Sequence, residues 1–486
     1  MRFVRILIAC VLVGAGARAE AQDSPRFLAH YMPWYEAKPH RTYWGWHWTM
    51  NHFDPDRVGS DGRREIASRH YPLIGPYDSS DPDVLEYHTL LMKVAGIDGV
   101  IVDWYGTGSL WDYPTIHTAA QLLYDAVAAA GLEFAVCYED QTLGHLISQG
   151  RIASSAAVDQ ARRDMDAVRD LWVDGGAYVH HEGRPLLLNF GPQHLRSGSQ
   201  WITAFSGFST DPVFLTLDNV VSGAAHGAYP WPPMWASGGG TLTPGRLTEY
   251  LNAHYARASG YEVRMGSSFP GFHDIYQEAG VRASYGFLDH RDGATLQETL
   301  DRAVTAGSQF VQLVTWNDFG EGTTIEPAVE YRYRHLEQVQ ETVAALRMLP
   351  FSAEDLRLPI RIYELRKSGA YDAQLDVAVR HLQEGRPAET RATLDVLSSI
   401  ENNLRALEEV VIVPNPSSGP VSIQLGSLLN PATVTLFDLL GRVVARREVS
   451  AGASSVSLDP PPTPGVYVLR VRAGSELIVR TVVRVR

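Results

Sequence analysis

The sequence predicts a (β/α)8 barrel followed by a helical segment and a small β-sandwich. Three observations lead there. Solid apolar runs alternate with helix-period segments, the pattern of a parallel sheet covered on both faces. Eight such units fit in about 320 residues, the scale of that barrel. The apolar runs also end on acids, amides and aromatics, as the rim of such a barrel does. An open doubly wound sheet is the alternative, but no Gly-x-Gly-x-x-Gly follows the first strand.

Arg26–Tyr31 is the first strand, running into Met32-Pro33-Trp34-Tyr35 and then a long Gly-, Trp-, His- and Pro-rich connection. Such a long connection in a compact domain carries function. Val84, Tyr87, His88, Leu91 and Val94 recur at helical spacing until Gly96, and Gly99–Trp104 forms the second strand. Thr115–Ala130 is a helix closed by Gly131, and Phe134–Tyr138 a strand ending at Glu139-Asp140. Ser155–Trp172 is helix, and Pro185–Asn189 and Val213–Asp218 are strands, with a sixth near Pro232–Trp235. Pro244–Ala258 and Thr295–Ala306 are helices flanking the strand Glu262–Ser267. Phe310–Thr315 is the eighth strand, and Tyr333–Met348 the closing helix.

Residues 352–408 are polar and helical, with a break at Gly385-Arg386-Pro387. Beyond Asn403 seven short strands with turns between them make a sandwich of about 75 residues. The expected domains are therefore 1–21, 22–350, 351–408 and 409–486.

Met1–Arg5 is positive, Ile6–Gly16 apolar, and small-x-small sites follow at Ala17–Ala21, so residues 1–21 read as a secretory signal peptide. The formal charge of −13 becomes −15 without that segment, and no basic groove is evident, which excludes nucleic acid as a partner. Cys137 is then the lone cysteine, so no internal disulfide forms, and it reads as a small core hydrophobe. His47 and His52 lack metal-ligand spacing, and no Gly-x-Ser-x-Gly elbow occurs; no metal and no cofactor is expected.

The chemistry concentrates in Thr315-Trp316-Asn317-Asp318-Phe319-Gly320-Glu321-Gly322, a turn leaving the eighth strand. Glycosidic cleavage needs one carboxylic acid to protonate the leaving oxygen and a second carboxylate as partner. Asp318 and Glu321, three apart, supply that pair, while Asn-Asp before Gly also merely caps turns. Asn317 and Trp316 stand beside them to orient and stack a polar ligand. Asp103, Glu139, Asn189 and Asp218 end other strands, where they can bind sugar hydroxyls or simply tie loops. Trp34, Tyr35, Trp46, Trp104 and Tyr105 are stacking platforms or core, and His47 sits among them on the substrate side.

Three stretches resemble glycoside hydrolase family 99, the endo-α-1,2-mannosidase and mannanase family. They are His30–Tyr35, Tyr71–Pro82 and Ala95–Gly106, and the resemblance spans roughly residues 26–345. It implies a (β/α)8 barrel and a retaining reaction through a 1,2-anhydro sugar. Its first acidic residue acts as base on the 2-hydroxyl and its second as general acid, roles that fall on Asp318 and Glu321. Tyr31 and Trp104 would line the subsite of the reacting sugar. The first position is Glu in that family and Asp here. Trp316–Glu321 also resembles the motif of family 71, the inverting α-1,3-glucanases. Val413–Gly419, Leu436–Arg442 and Gly465–Val471 resemble the type A sorting domain of the type IX secretion system. The expectation is a secreted or cell-surface enzyme, exported through a Gram-negative periplasm by that machinery, that cleaves internal bonds of an α-mannan-type polysaccharide. An α-1,3-glucanase-like inverting hydrolase and a non-catalytic glycan-binding barrel are the alternatives.

Overall fold

The computed structural model describes residues 24–486 apart from 370, 409, 427, 429 and 475. The expected signal peptide lies outside the described residues. Internal contacts divide the chain into two units, one holding residues up to Asp81 and Ala95–Leu349, the other Pro82–Val94 and Pro350–Arg486.

The first unit is a nearly closed barrel of eight parallel strands. They are β1 (Arg26–Tyr31), β2 (Gly99–Trp104), β3 (Glu133–Tyr138), β4 (Arg184–Asn189), β5 (Val213–Leu217), β6 (Gly227–Tyr229), β7 (Met265–Ser268) and β8 (Phe310–Leu313). Their order is β6-β5-β4-β3-β2-β1-β8-β7, and His180–His181 pairs antiparallel with β4. The seam between β6 and β7 lacks a ladder. It is closed by Val263 N–H donating to His226 O (3.2 Å) and the Ser267 hydroxyl donating to Pro230 O (2.6 Å).

Every strand is buried on both faces, which explains the unbroken apolar runs in the sequence. Side chains alternate, so Leu28, Ile101, Ala135, Leu188 and Leu215 point into the barrel and form its interior core. Two expectations fail at β6. The strand is Gly227–Tyr229, and Met234–Ser237, near the expected position, is a 3-10 turn. Gly227 has no room for a side chain, because a Cβ there would lie 2.1 Å from Val263 O.

Between β7 and β8 the chain makes an excursion that the sequence did not announce, an antiparallel pairing of Phe272–His273 with Phe287–Leu288. Between β8 and the closing helix Arg334–Leu346 lies the turn that carries Asp318 and Glu321.

The second unit contains helices Pro82–Ala95, Leu358–Lys367, Asp372–Gln383 and Pro387–Glu408. Arg366 pairs there with Glu86 (3.0 Å) and Asp376 (2.6 Å). Seven strands follow in sheets of three and four, around a shared core that includes Ile423, Val434, Leu436 and Leu469.

Candidate active site

The Thr315–Ile325 turn is fixed by its own backbone. Thr315 N–H donates to Thr323 O (2.8 Å) and Ile325 N–H to Thr315 O (3.0 Å). Asp318 N–H donates to Thr315 Oγ1 (2.7 Å), and Glu321 N–H donates to Asp318 Oδ1 (3.0 Å). The second contact locks one carboxylate oxygen of Asp318 to the backbone of its partner acid. The 272–288 excursion clamps the outer side: His273 N–H reaches Glu321 O (2.8 Å) and Ile275 N–H reaches Gly320 O (3.0 Å). Gly322 has φ +66°, and a Cβ there would meet His273 O at 2.9 Å, so glycine alone fits this approach.

Asn317 anchors the turn to β1. Its Oδ1 accepts Met32 N–H (2.8 Å), and its Nδ2 donates to Met32 O (3.0 Å) and the Tyr77 hydroxyl (3.0 Å). Tyr35 adds a second brace, donating to Asn317 O (2.9 Å) while accepting Phe319 N–H (3.0 Å). The inner side of the turn is therefore built from the motif residues themselves.

Burial and mutual repulsion set the protonation of the acids. Asp318 is buried, and desolvation, with the Asp103 carboxylate adding to it, pushes its carboxyl up to about 7 against two backbone N–H donors. Glu321 is pushed well above the usual carboxylate range by desolvation and then by Asp318. The Tyr276 hydroxyl donates to Glu321 Oε1 (3.2 Å), which favours the charged form and partly opposes that rise. Glu139 is raised in the same way, by desolvation and then Asp103. Glu321 is thereby biased toward its protonated form, and Asp318 is poised to gain or lose a proton near neutral pH.

Two clefts carry the remaining expected residues. Glu321 and Asp218 line one of about 430 Å³, walled by Phe190, Trp231, Phe272 and Tyr285, with Trp235 72% exposed on its wall. Asp218 accepts a hydrogen bond from Tyr250. Trp46, His47 and Tyr105 line the other, of about 550 Å³, with Trp111 and Gln141. His47 stacks on Trp34 at 4.3 Å and bonds Asp112 at 3.2 Å. Glu139 accepts from the amides of Gln141 (2.9 Å) and Gln193 (3.4 Å).

The other expected substrate contacts line neither of these two clefts. Trp104 has no exposed surface. Its ring packs on Trp172 (5.4 Å), and its Nε1–H donates to His117 Nδ1 (3.1 Å), outside the barrel interior. Tyr31 and Trp316 are likewise fully enclosed, and Tyr35 is spent on the turn. Asn317 has both amide atoms committed to Met32 and Tyr77. Asn189 holds the ends of β3 and β4 together, donating to Tyr138 O at 2.7 Å. Asp103 is 1% exposed and faces the barrel interior, so it acts on Asp318 as a charge and presents no surface to a ligand.

The sequence reading missed Tyr276 and Asp274. Asp274 accepts Ser284 Oγ–H (2.9 Å) and Tyr285 N–H (2.8 Å), shaping the excursion that brings Tyr276 onto Glu321. Their only sequence signal was the polar and aromatic content of a long β7–β8 connection.

The last strand of this parallel barrel thus delivers two raised carboxyls, a buried Asp318 and a half-buried Glu321, beside an aromatic-walled cleft, an arrangement with the parts that glycosidic cleavage needs. The chain is similar to the glycoprotein endo-alpha-1,2-mannosidase-like protein of Mus musculus. Identity is 24% over 351 residues, covering 64% of this chain and 73% of the relative. The human protein of that description is 24% identical over 331 residues, covering 62% and 68%. The structure of the GH99 endo-alpha-mannosidase from Bacteroides thetaiotaomicron superposes with a TM-score of 0.51 at 19% identity. It covers 66% of this chain and 97% of that one, a likeness of fold. Residues 411–485 match the family model of the secretion system C-terminal sorting domain.

Proposed function

We propose that the chain is an exported, endo-acting glycoside hydrolase that cleaves internal α-glycosidic bonds of an α-mannan-type polysaccharide, with Asp318 as base and Glu321 as general acid. One observation carries the reading. Two carboxyls three residues apart share a clamped turn, and the one that lines the open cleft, Glu321, is raised well above the usual carboxylate range. The likeness to endo-alpha-mannosidases supplies the substrate class. The matched sorting domain supports export by type IX machinery to the cell surface or the medium.

In the route the family resemblance implies, Asp318 takes the proton of the substrate 2-hydroxyl as that oxygen closes on C1. Glu321 gives its proton to the departing glycosidic oxygen. Water then opens the 1,2-anhydro ring, giving its proton to the Glu321 carboxylate, and Asp318 returns its proton to the 2-oxygen. Both acids end as they began, and the anomeric configuration is retained.

The test is reducing-sugar release from α-mannans of defined linkage and from α-1,3-glucan, comparing wild type with Glu321→Gln. Wild type releases sugar from α-mannan, and the variant is slower by about 10²–10⁴. NMR of the first product shows the retained anomer. Glycan binding with no release from any substrate would establish a binding barrel instead.

A further inference from the structure

His30, Asp103 and Cys137 stand at the penultimate positions of β1, β2 and β3, far apart in sequence and side by side inside the barrel. Asp103 and Cys137 are direct register partners. None of the three belongs to the acid/base pair, and their arrangement poses a charge problem.

The problem starts at Gln312. Its Nε2 lies 2.8 Å from Ser267 Oγ and 3.4 Å from Pro230 O, and Ser267 already donates to Pro230 O. A carbonyl only accepts, so the amide nitrogen of Gln312 faces this pair and its Oε1 faces His30 Nδ1, 3.3 Å away. Nδ1 therefore carries the N–H of the neutral ring, and Nε2 presents a bare lone pair. That nitrogen lies 3.9 Å from Asp103 Oδ1. Neither atom has a hydrogen-bond partner, and both residues are at most 1% exposed. Two buried acceptors so placed call for a positive charge between them, a proton or a metal cation.

Cys137 supplies the third side. One donor atom from each residue lies within 4.8 Å of the other two. Three atoms so close share a point no more than about 2.8 Å from any of them, so a contraction of roughly 0.5–0.8 Å reaches zinc–nitrogen and zinc–sulfur bond lengths. We propose that His30 Nε2, Asp103 Oδ1 and Cys137 Sγ bind one thiophilic divalent cation of the Zn2+ or Cd2+ class.

The charges balance. A dication, one thiolate, one carboxylate and a neutral imidazole sum to zero, the condition for burying ions in a low-dielectric core. Burial holds the free thiol protonated, so binding releases the Cys137 proton to solvent. A thiolate and an imidazole select zinc-type ions over Mg2+ and Ca2+. Gln312 is the outer-shell group that fixes the His30 tautomer. The dication also stands beside the carboxylate that raises Asp318 and Glu139, and it offsets that repulsion.

The test uses residues 22–486, in which Cys137 is the lone thiol. Metal-stripped protein is titrated with Cd2+ and followed by the thiolate-to-cadmium charge-transfer band in the ultraviolet, with retained zinc counted after dialysis. The expected result is a band saturating at one equivalent and about one zinc per chain, both lost in Cys137→Ala. Gln312→Leu weakens binding about 10–100-fold while leaving the band shape intact, and covers the case in which Cys137→Ala does not fold. A folded wild type with no band and only trace zinc would overturn the site and leave a single proton shared by His30 and Asp103. A band that persists in Cys137→Ala, or unweakened binding in Gln312→Leu, would overturn it equally.

Discussion

The Tyr276 hydroxyl donates to Glu321 Oε1 at 3.2 Å, from a segment that is itself hydrogen-bonded to the backbone of that acid's turn. A donor on a carboxylate stabilises its charged form, so Tyr276 pulls down a carboxyl that burial and Asp318 push up. A general acid must be protonated, and its limb of the pH profile falls as pH rises through its pKa. In Tyr276→Phe the downward pull is gone, the pKa rises, and the alkaline limb of kcat/KM moves to higher pH. The maximal rate drops about tenfold, because the acid loses its orienting partner and becomes a weaker proton donor. A pH–rate profile of the variant checks both effects.

Asp318 gives the opposite limb. Desolvation and Asp103 raise it to about 7, and a base works only when deprotonated. Activity should therefore climb as pH rises toward about 7, and fall once Glu321, itself raised above the usual carboxylate range, loses its proton. Asp318→Asn removes the base at every pH and costs about 10²–10⁴ in kcat. In metal-free enzyme, an acidic limb centred near the ordinary Asp value of about 4 would show that Asp318 is not the base.

The strands were legible in the sequence because a doubly covered parallel strand is one solid apolar run. β1 and β2 begin and end where those runs do. The same solidity hid which face each residue occupies. Position at a strand end places a side chain near the mouth, but parity decides whether it points into the barrel, and an all-apolar run carries no parity signal. His30 and Asp103 point inward, whereas their neighbours Tyr31 and Trp104 are packed away. β6 is three residues without an apolar run, and the two-residue strands of the 272–288 excursion are shorter than any periodicity can show. Tyr276 was therefore out of reach, while Asp318 and Glu321, adjacent on one turn, were not.

Asn317 is a test of turn architecture. Asn317→Ala leaves Met32 N–H, Met32 O and one contact of the Tyr77 hydroxyl without their partner inside the fold. Stranding buried polar groups costs about 1–3 kcal/mol each when water cannot replace the partner. The expected loss is about 2–4 kcal/mol after partial relaxation, seen as a Tm lower by several degrees. The turn loses its tie to β1, so kcat falls as well. Unchanged Tm with raised KM would instead make the amide a substrate contact.

Trp104 separates a core aromatic from a sugar platform. Its indole N–H is spent on His117, and its ring lies against Trp172 and Tyr138, with no exposed surface. Trp104→Phe removes that hydrogen bond and leaves a gap where the larger ring packed, at a cost of about 1–3 kcal/mol. KM for the polysaccharide should stay within about twofold of wild type, because a residue that never meets the ligand cannot change its binding uniformly. Thermal denaturation and Michaelis kinetics on the same preparation decide the matter. A lowered Tm at constant KM assigns Trp104 to the wall between strands and helices, and a tenfold higher KM at constant Tm would return it to the subsite.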